Sequence, residues 1–245
     1  MRDISDYQNV YLKESFEEYK VEYRRKQTLS FLDKYKPMSA LEIGCASEPL
    51  FQYTKNINFT IVEPGEQFVA IAREKAETLG VSVQIVHGLL EESIDKLQEK
   101  YNVIVCDSLL HEIEDVPFFL EQMKRLCSEE TVVHITVPNA NSMHRLLGVC
   151  MGTIDSIYSQ TQNNKDFQQN TVFDLKIMQD ILERSGFKII EKGDFFIKPF
   201  SHKQMYSMLK SGIITEDIIK ALNDLSDYMP GFGSEIYVDC MVKTG

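Results

Sequence analysis

The stretch Ala40–Leu50, ALEIGCASEPL, decides how the chain is read. Ala40, Leu41 and Ile43 make a short apolar strand that stops at Gly44 and turns toward a helix. Gly44 can adopt a positive φ and lets a ligand approach bare backbone. Glu42 puts a carboxyl inside this apolar strand, which costs free energy unless a polar or cationic group meets it. The next apolar run, FTIVE, ends in Glu63 about twenty residues after the glycine turn. Nucleotide-binding α/β folds keep at that position the carboxylate that grips a ribose. Together these residues describe a pocket for an adenosine-containing ligand.

Outward from this strand, helical and strand patterns alternate. An amphipathic helix over Gln67–Leu79 stops at Gly80. A third strand runs over Val81–Val86, a mixed helix over Leu90–Glu99, and a fourth strand, YNVIVCD, over Tyr101–Asp107. The fourth strand is nearly all apolar, as a strand covered on both faces should be. Asp115 and Pro117 open a further helix as cap and first-turn proline. The fifth strand, Thr131–Val137, ends at Pro138. After it the rhythm breaks at two insertions, residues 139–170 and 199–233, separated by a helix capped at Asp174 and a sixth strand over Phe187–Ile197. A last strand, EIYVDCMV at Glu235–Val242, alternates with period two and is free to run antiparallel. Before the first strand, Tyr7–Lys36 is charged and aromatic with helical spacing, and Pro37 ends it.

This order predicts an α/β fold: a Rossmann-like, doubly wound, mostly parallel seven-stranded sheet with an N-terminal helical extension and helical insertions. The chain reads as a single domain over 1–245. Residues 1–37 form a helical lid, 38–138 a cofactor-binding half and 139–245 a substrate-side half. The bland alternative for the lid is a packed helix with a solvated Arg24-Arg25-Lys26 face. The ligand belongs at the carboxyl ends of the strands, at the switch point between the first and fourth.

Composition narrows the function classes. Apolar content of 43% and charged content of 26% are ordinary for a globular protein, and the net charge of −11 argues against a nucleic-acid partner. No run approaches a membrane span, and the polar start MRDISDYQNV is not a signal peptide. Five cysteines without a C-x-x-C spacing read as buried free thiols of a cytoplasmic protein, and no His/Cys/Asp cluster has metal-ligand spacing. Oligomeric state is not encoded in any pattern found.

The motifs LEIGCASEP, TIVEP, HGLLEE and CDSLLHEIED, in this order over Leu41–Pro138, resemble class I S-adenosylmethionine (SAM)-dependent methyltransferases. The glycine motif departs from the family's pattern: Glu42 and Gly44 match, while Ala46 and Glu48 stand at the second and third glycines. VPNANSMHRLLG and the distal SEIYVDCMVK are similar to small-molecule methyltransferases of bacterial natural-product and surface-sugar pathways. The resemblance implies an antiparallel last strand in the sheet, SAM as cofactor, S-adenosylhomocysteine (SAH) as product, and a small polar or anionic acceptor methylated on oxygen or nitrogen. It implies cofactor contacts at Glu42, Gly44, Ala46, Glu63, Pro64, Gly88, Leu89, Asp107 and Ser108. Glu63 would take the ribose, Gly88-Leu89 the adenine, and Asp107-Ser108 the methionine end. His111 and His144 are the candidate bases. Asn139, Asn141, Arg145 and Lys198 are candidates for the acceptor, because cations at the open edge of a site on an acidic chain attract an anion. Two rival readings are a SAM-binding pseudo-enzyme and a nicotinamide-dependent oxidoreductase; Glu63 suits NAD too, but the second and third glycines of G-x-G-x-x-G are missing.

Overall fold

The computed structural model describes residues 16–97, 100–160 and 169–243. Seven strands form one sheet in the order β3-β2-β1-β4-β5-β7-β6. They are β1 (Ser39–Ile43), β2 (Asn58–Glu63), β3 (Gln84–His87), β4 (Tyr101–Asp107), β5 (Cys127–Pro138), β6 (Phe187–Phe195) and β7 (Glu235–Val242). β1 to β5 are parallel. β7 slots between β5 and β6 and runs antiparallel to both. The order reverses between β1 and β4, so a crevice opens there beyond the strands' carboxyl ends.

The helices are α1 (Glu17–Tyr35), α2 (Glu66–Leu79), α3 (Leu90–Ser93), α4 (Val116–Arg125), α5 (Met143–Cys150), α6 (Leu175–Arg184), α7 (His202–Lys210) and α8 (Glu216–Asp224). Their ends follow the sequence signals. Gly80 closes α2 at φ 64°, the Asp115 carboxylate accepts from Phe118 N at α4, and Asp174 accepts from Ile177 N at α6. Tyr35 is the last residue of α1, and Lys36 turns left-handed before Pro37.

Alternation along β4 fills both faces. Ile104 and Cys106 join a core with Phe119, Leu120 and Met123 of α4 and Met178 and Leu182 of α6. Val103 and Val105 join a second core with Phe31 and Leu32 of α1 and Ala72 and Ala76 of α2. A third cluster, with Phe16, Tyr23, Phe196, Met205 and Ile219, joins α1 to both helices of the second insertion. Cys45, Cys106, Cys127 and Cys240 are buried free thiols, and Cys150 is exposed.

Three local expectations are corrected. The expected helix after Gly44 is a single 3₁₀ turn, Leu50–Tyr53, because the Glu42 carboxyl captures Leu50 N–H at 3.1 Å and pins the chain re-entry. The third strand begins at Gln84 instead of Val81. The helix from Leu90 is one turn followed by a 3₁₀ turn, Ile94–Lys96, and Gln98–Glu99 lie outside the described residues. Likewise, residues 1–15 of the expected lid and 161–168 of the first insertion lie outside them.

Candidate active site

A cavity of about 340 Å³ opens at the switch point. Glu42, Gly44, Ala46, Glu63, Pro64, Gly88, Leu89, Asp107 and Ser108 all lie on its wall. α1 covers it with Val21, Arg24 and Arg25, and Phe68, Leu109, Ile113 and Phe119 supply apolar surface.

Backbone geometry explains the residue types at the turn. Gly44 sits at φ 79° and donates to Val62 O at 2.9 Å. Ala46, where the family pattern has its second glycine, is held at φ 46°. The left-handed region costs an L-residue about 1–2 kcal/mol, and a glycine would not bear that cost. The Glu63 carboxylate holds this strained turn: Oε2 accepts from Cys45 N at 3.0 Å and Ala46 N at 3.2 Å, and Oε1 from Gly65 N at 2.8 Å. Gly88, at φ 152°, donates to Glu63 O, and a Cβ there would meet Ser93 Oγ at 2.8 Å.

Asp107 closes the crevice from β4. Its Oδ2 accepts from Thr28 Oγ1 of α1 at 2.6 Å and its Oδ1 from Thr136 Oγ1 of β5 at 3.0 Å. Ser108, at φ 49°, donates its N–H to Thr136 O. His134 Nε2 lies 3.9 Å from Asp107 Oδ1, and its Nδ1 lies 2.6 Å from Asp239 Oδ1. The His134 ring stacks on Phe31.

The wall carries eight acidic residues against two arginines. Burial pushes the Glu42 carboxyl well above the usual range, which favours its neutral form. Glu48 is paired with Lys75 and Arg25. The remaining excess of acid suits a cationic ligand, and the bare backbone at Gly44 with the apolar patch beside it suits a purine nucleoside.

The acceptor-side candidates are placed elsewhere. His111, Asn139, Asn141, His144, Arg145 and Lys198 are not on the cavity wall. His111 is buried, and its carbonyl accepts from Asn170 N and Thr171 N. Asn139 ties β5 to the β7 approach by donating to Gly231 O and Gly233 O. Arg145 gives Nε to Ile157 O and Nη2 to Ser159 O. Lys198 is fully buried beside His202.

Sequence reasoning missed the polar layer under α1. Lys20, Arg24 and Thr28, at i, i+4 and i+8, all face the sheet. Lys20 Nζ lies 2.8 Å and Arg24 Nη2 3.3 Å from Glu235 Oε1. Along β7, Glu235 and Asp239 share one face, and their β5 neighbours Pro138 and His134 stand opposite them. The polar positions of the EIYVDCMV alternation were the available signal, but solvent would have produced the same pattern.

A parallel-sheet crevice with a strand-end carboxylate, a bare glycine turn and an excess of acid fits the SAM-dependent methyltransferases that the sequence resembles. The methyltransferase domain family model matches residues 15–192, and the chain belongs to that family. Its cofactor is SAM. No curated protein sequence matches. Among solved structures, it is similar to the plantazolicin methyltransferase BamL, solved with a triazolic desmethylPZN analog and SAH (17% identity, 90% of this chain and 85% of that one, TM-score 0.58). It is also similar to a SAM-dependent methyltransferase from Clostridium acetobutylicum (10%, 90% and 91%, 0.59). A third is a putative sarcosine dimethylglycine methyltransferase from Galdieria sulphuraria (10%, 89% and 84%, 0.61). At these identities the likeness is one of fold. No helix of the described residues is long and apolar enough to cross a membrane.

Proposed function

We propose that the protein transfers the SAM methyl group to an oxygen or nitrogen of a small polar molecule, and that the nine strand-end residues hold the cofactor. The observation that carries this reading is their convergence on one acid-rich cavity under α1. SAM supplies an electrophilic sulfonium methyl. Asp107 and the acidic wall balance the sulfonium charge, and Glu63, on the same wall, is the carboxylate for the ribose hydroxyls. Arg24 and Arg25 offer cations to the cofactor's carboxylate. α1 acts as a lid, tethered by Thr28 to Asp107. An excluded-water site of this kind positions the acceptor in line with the methyl carbon.

His144 is the better of the two candidate bases. Burial, reinforced by Lys198, holds its pKa well below the usual value, which keeps the ring neutral while making it a weaker base than a free imidazole. His111 is a buried residue whose carbonyl holds residues 170–171. His144→Ala should lower kcat about 10²–10⁴-fold with SAH affinity preserved, the usual scale for a general base. Equal rates would favour an amine acceptor that needs only positioning. The nicotinamide reading is disfavoured because Gly44 leads to a 3₁₀ turn, which offers no helix N-terminus to a pyrophosphate. The buried unbridged thiols favour a reducing, cytoplasmic setting. Calorimetry with SAM, SAH and NAD tests the cofactor. Incubation with isotopically labelled SAM in cell extract, followed by identification of the labelled product, tests the acceptor; label in nucleic acid instead of a small molecule would refute the substrate class.

A further inference from the structure

Arg24 belongs to two places at once, since it lines the cofactor cavity and also reaches Glu235. Beyond that contact lies a buried cluster that cofactor binding does not use. Lys198, 1% exposed, extends Nζ to His202 Nδ1 at 3.0 Å and has no carboxylate within ion-pair distance among the described residues. The two carboxylates nearby are already engaged. Glu235 pairs with Lys20 and Arg24, and Glu17 with Lys20, Arg24 and His202. Among the described residues, the three basic side chains Lys20, Arg24 and Lys198 therefore face the two carboxylates of Glu17 and Glu235, and Arg145 of α5 adds a further positive field.

The same region holds orphaned polar atoms. Ser142 Oγ, His144 Nδ1 and Ser234 Oγ are buried and have no hydrogen-bond partner among the described residues. Their segments are stitched together by Asn139 N donating to Ser234 O and Met143 N donating to Phe232 O. Native proteins rarely leave such groups unsatisfied, and an excess buried cation is costlier still. The sequence pointed to Arg145 as the anion anchor, but two of its donors are given to the loop carbonyls of Ile157 and Ser159.

We propose that this cluster is the acceptor's anion subsite: Lys198 pairs with a carboxylate or phosphate on the methyl acceptor, and Ser142, Ser234 and His144 complete its hydrogen bonds. The proposal rests on the methyl-transfer reading and deepens it by naming the acceptor's handle. Burial, with Lys20 adding repulsion, brings Lys198 to about 7. An anion beside it favours the charged form, so binding near pH 8 takes up a proton. Glu17 and Glu235 favour the same form, while Arg145 opposes it.

The test titrates inorganic phosphate and acetate, separately, into the SAH-saturated protein at pH 8 and constant ionic strength, with chloride as control. Calorimetry in HEPES and in Tris reads proton uptake. One of the two anions should bind above chloride with proton uptake, and Lys198→Met should weaken it at least tenfold while SAH affinity is unchanged. Ser142→Ala, a smaller change in the same site, should weaken it several-fold, and it decides the matter if Lys198→Met fails to fold. Phosphate winning over acetate identifies a phosphorylated acceptor, and the reverse a carboxylate. The proposal is overturned if neither anion exceeds chloride, or if the folded variants bind as well as wild type. SAH binding by wild type in that case leaves the methyl-transfer reading standing; its absence removes that reading first.

Discussion

Ala46 shows what a missing motif glycine does to the fold. The turn still forms at φ 46°, and the strain is held by Glu63, whose carboxylate accepts from both peptide N–H groups around it. Ala46→Gly should relieve that strain and raise stability by up to about 1 kcal/mol, net of the larger entropy glycine brings to the unfolded chain. A thermal melt reads the change; a lower midpoint would show that Ala46 is not strained. Glu63→Ala should damage more than a ribose contact, because two buried N–H donors and a half-buried one lose their acceptor, the buried two at about 1–3 kcal/mol apiece. Loss of apo stability together with SAH affinity is the expected outcome, and loss of affinity alone would mean that the turn stands without it. Glu63 and Gly44 were legible in the sequence because both mark the end of an apolar run. His134 was not, since Asp239, its partner at 2.6 Å, lies 105 residues away and nothing in a local pattern joins them.

At the scale of elements, α1 is where local reading and tertiary structure part. Lys20, Arg24 and Thr28 look like a solvated stripe, yet they are buried against β4 and β7. Burial alone would raise the Glu235 pKa, but Arg24 and Lys20 outweigh it and hold the carboxylate ionised. Glu235→Gln removes one of the two carboxylates that Lys20 and Arg24 share, Glu17 being the other, and the loss should approach the scale of about 3–5 kcal/mol for breaking a buried pair. Urea denaturation checks it; a change below about 1 kcal/mol would place the cations in solvent. The same layer sets the acid limit. His202 is lowered by burial to about 4, so between pH 6.5 and 4 the unfolded state binds more protons and stability falls as pH falls. Glu17 and Glu235, both lowered, extend the loss below 4.5, while Glu42, raised, works against it. Thermal midpoints should drop from pH 6.5 to 4, and His202→Gln should flatten that slope. An unchanged slope would assign acid sensitivity to other groups.

Across the whole molecule, the α/β class and the switch point between the first and fourth strands could be read from alternating periods, and the acid-rich cavity follows from placing strand ends together. What composition did not disclose is how the charge divides. A net charge of −11 hides a cofactor cavity with eight acids and a neighbouring buried cluster that, among the described residues, is richer in cations than carboxylates. This division separates cofactor from product. SAM carries a sulfonium that SAH lacks, so the acidic wall attracts SAM through one additional positive charge and loses that attraction once the methyl has left. Screening reports the difference: the Debye length falls from about 10 Å at 0.1 M salt to about 3 Å at 1 M. SAM affinity should therefore weaken with added sodium chloride by a larger factor than SAH affinity, with the two converging at high salt. Isothermal titration of both ligands at several ionic strengths measures the two slopes. Glu114→Gln, which removes one wall charge without touching Glu63 or Asp107, should reduce the SAM slope and leave the SAH slope in place. Parallel slopes for the two ligands would mean that the wall acids are neutral or paired when the ligand binds, and that product release owes nothing to their field.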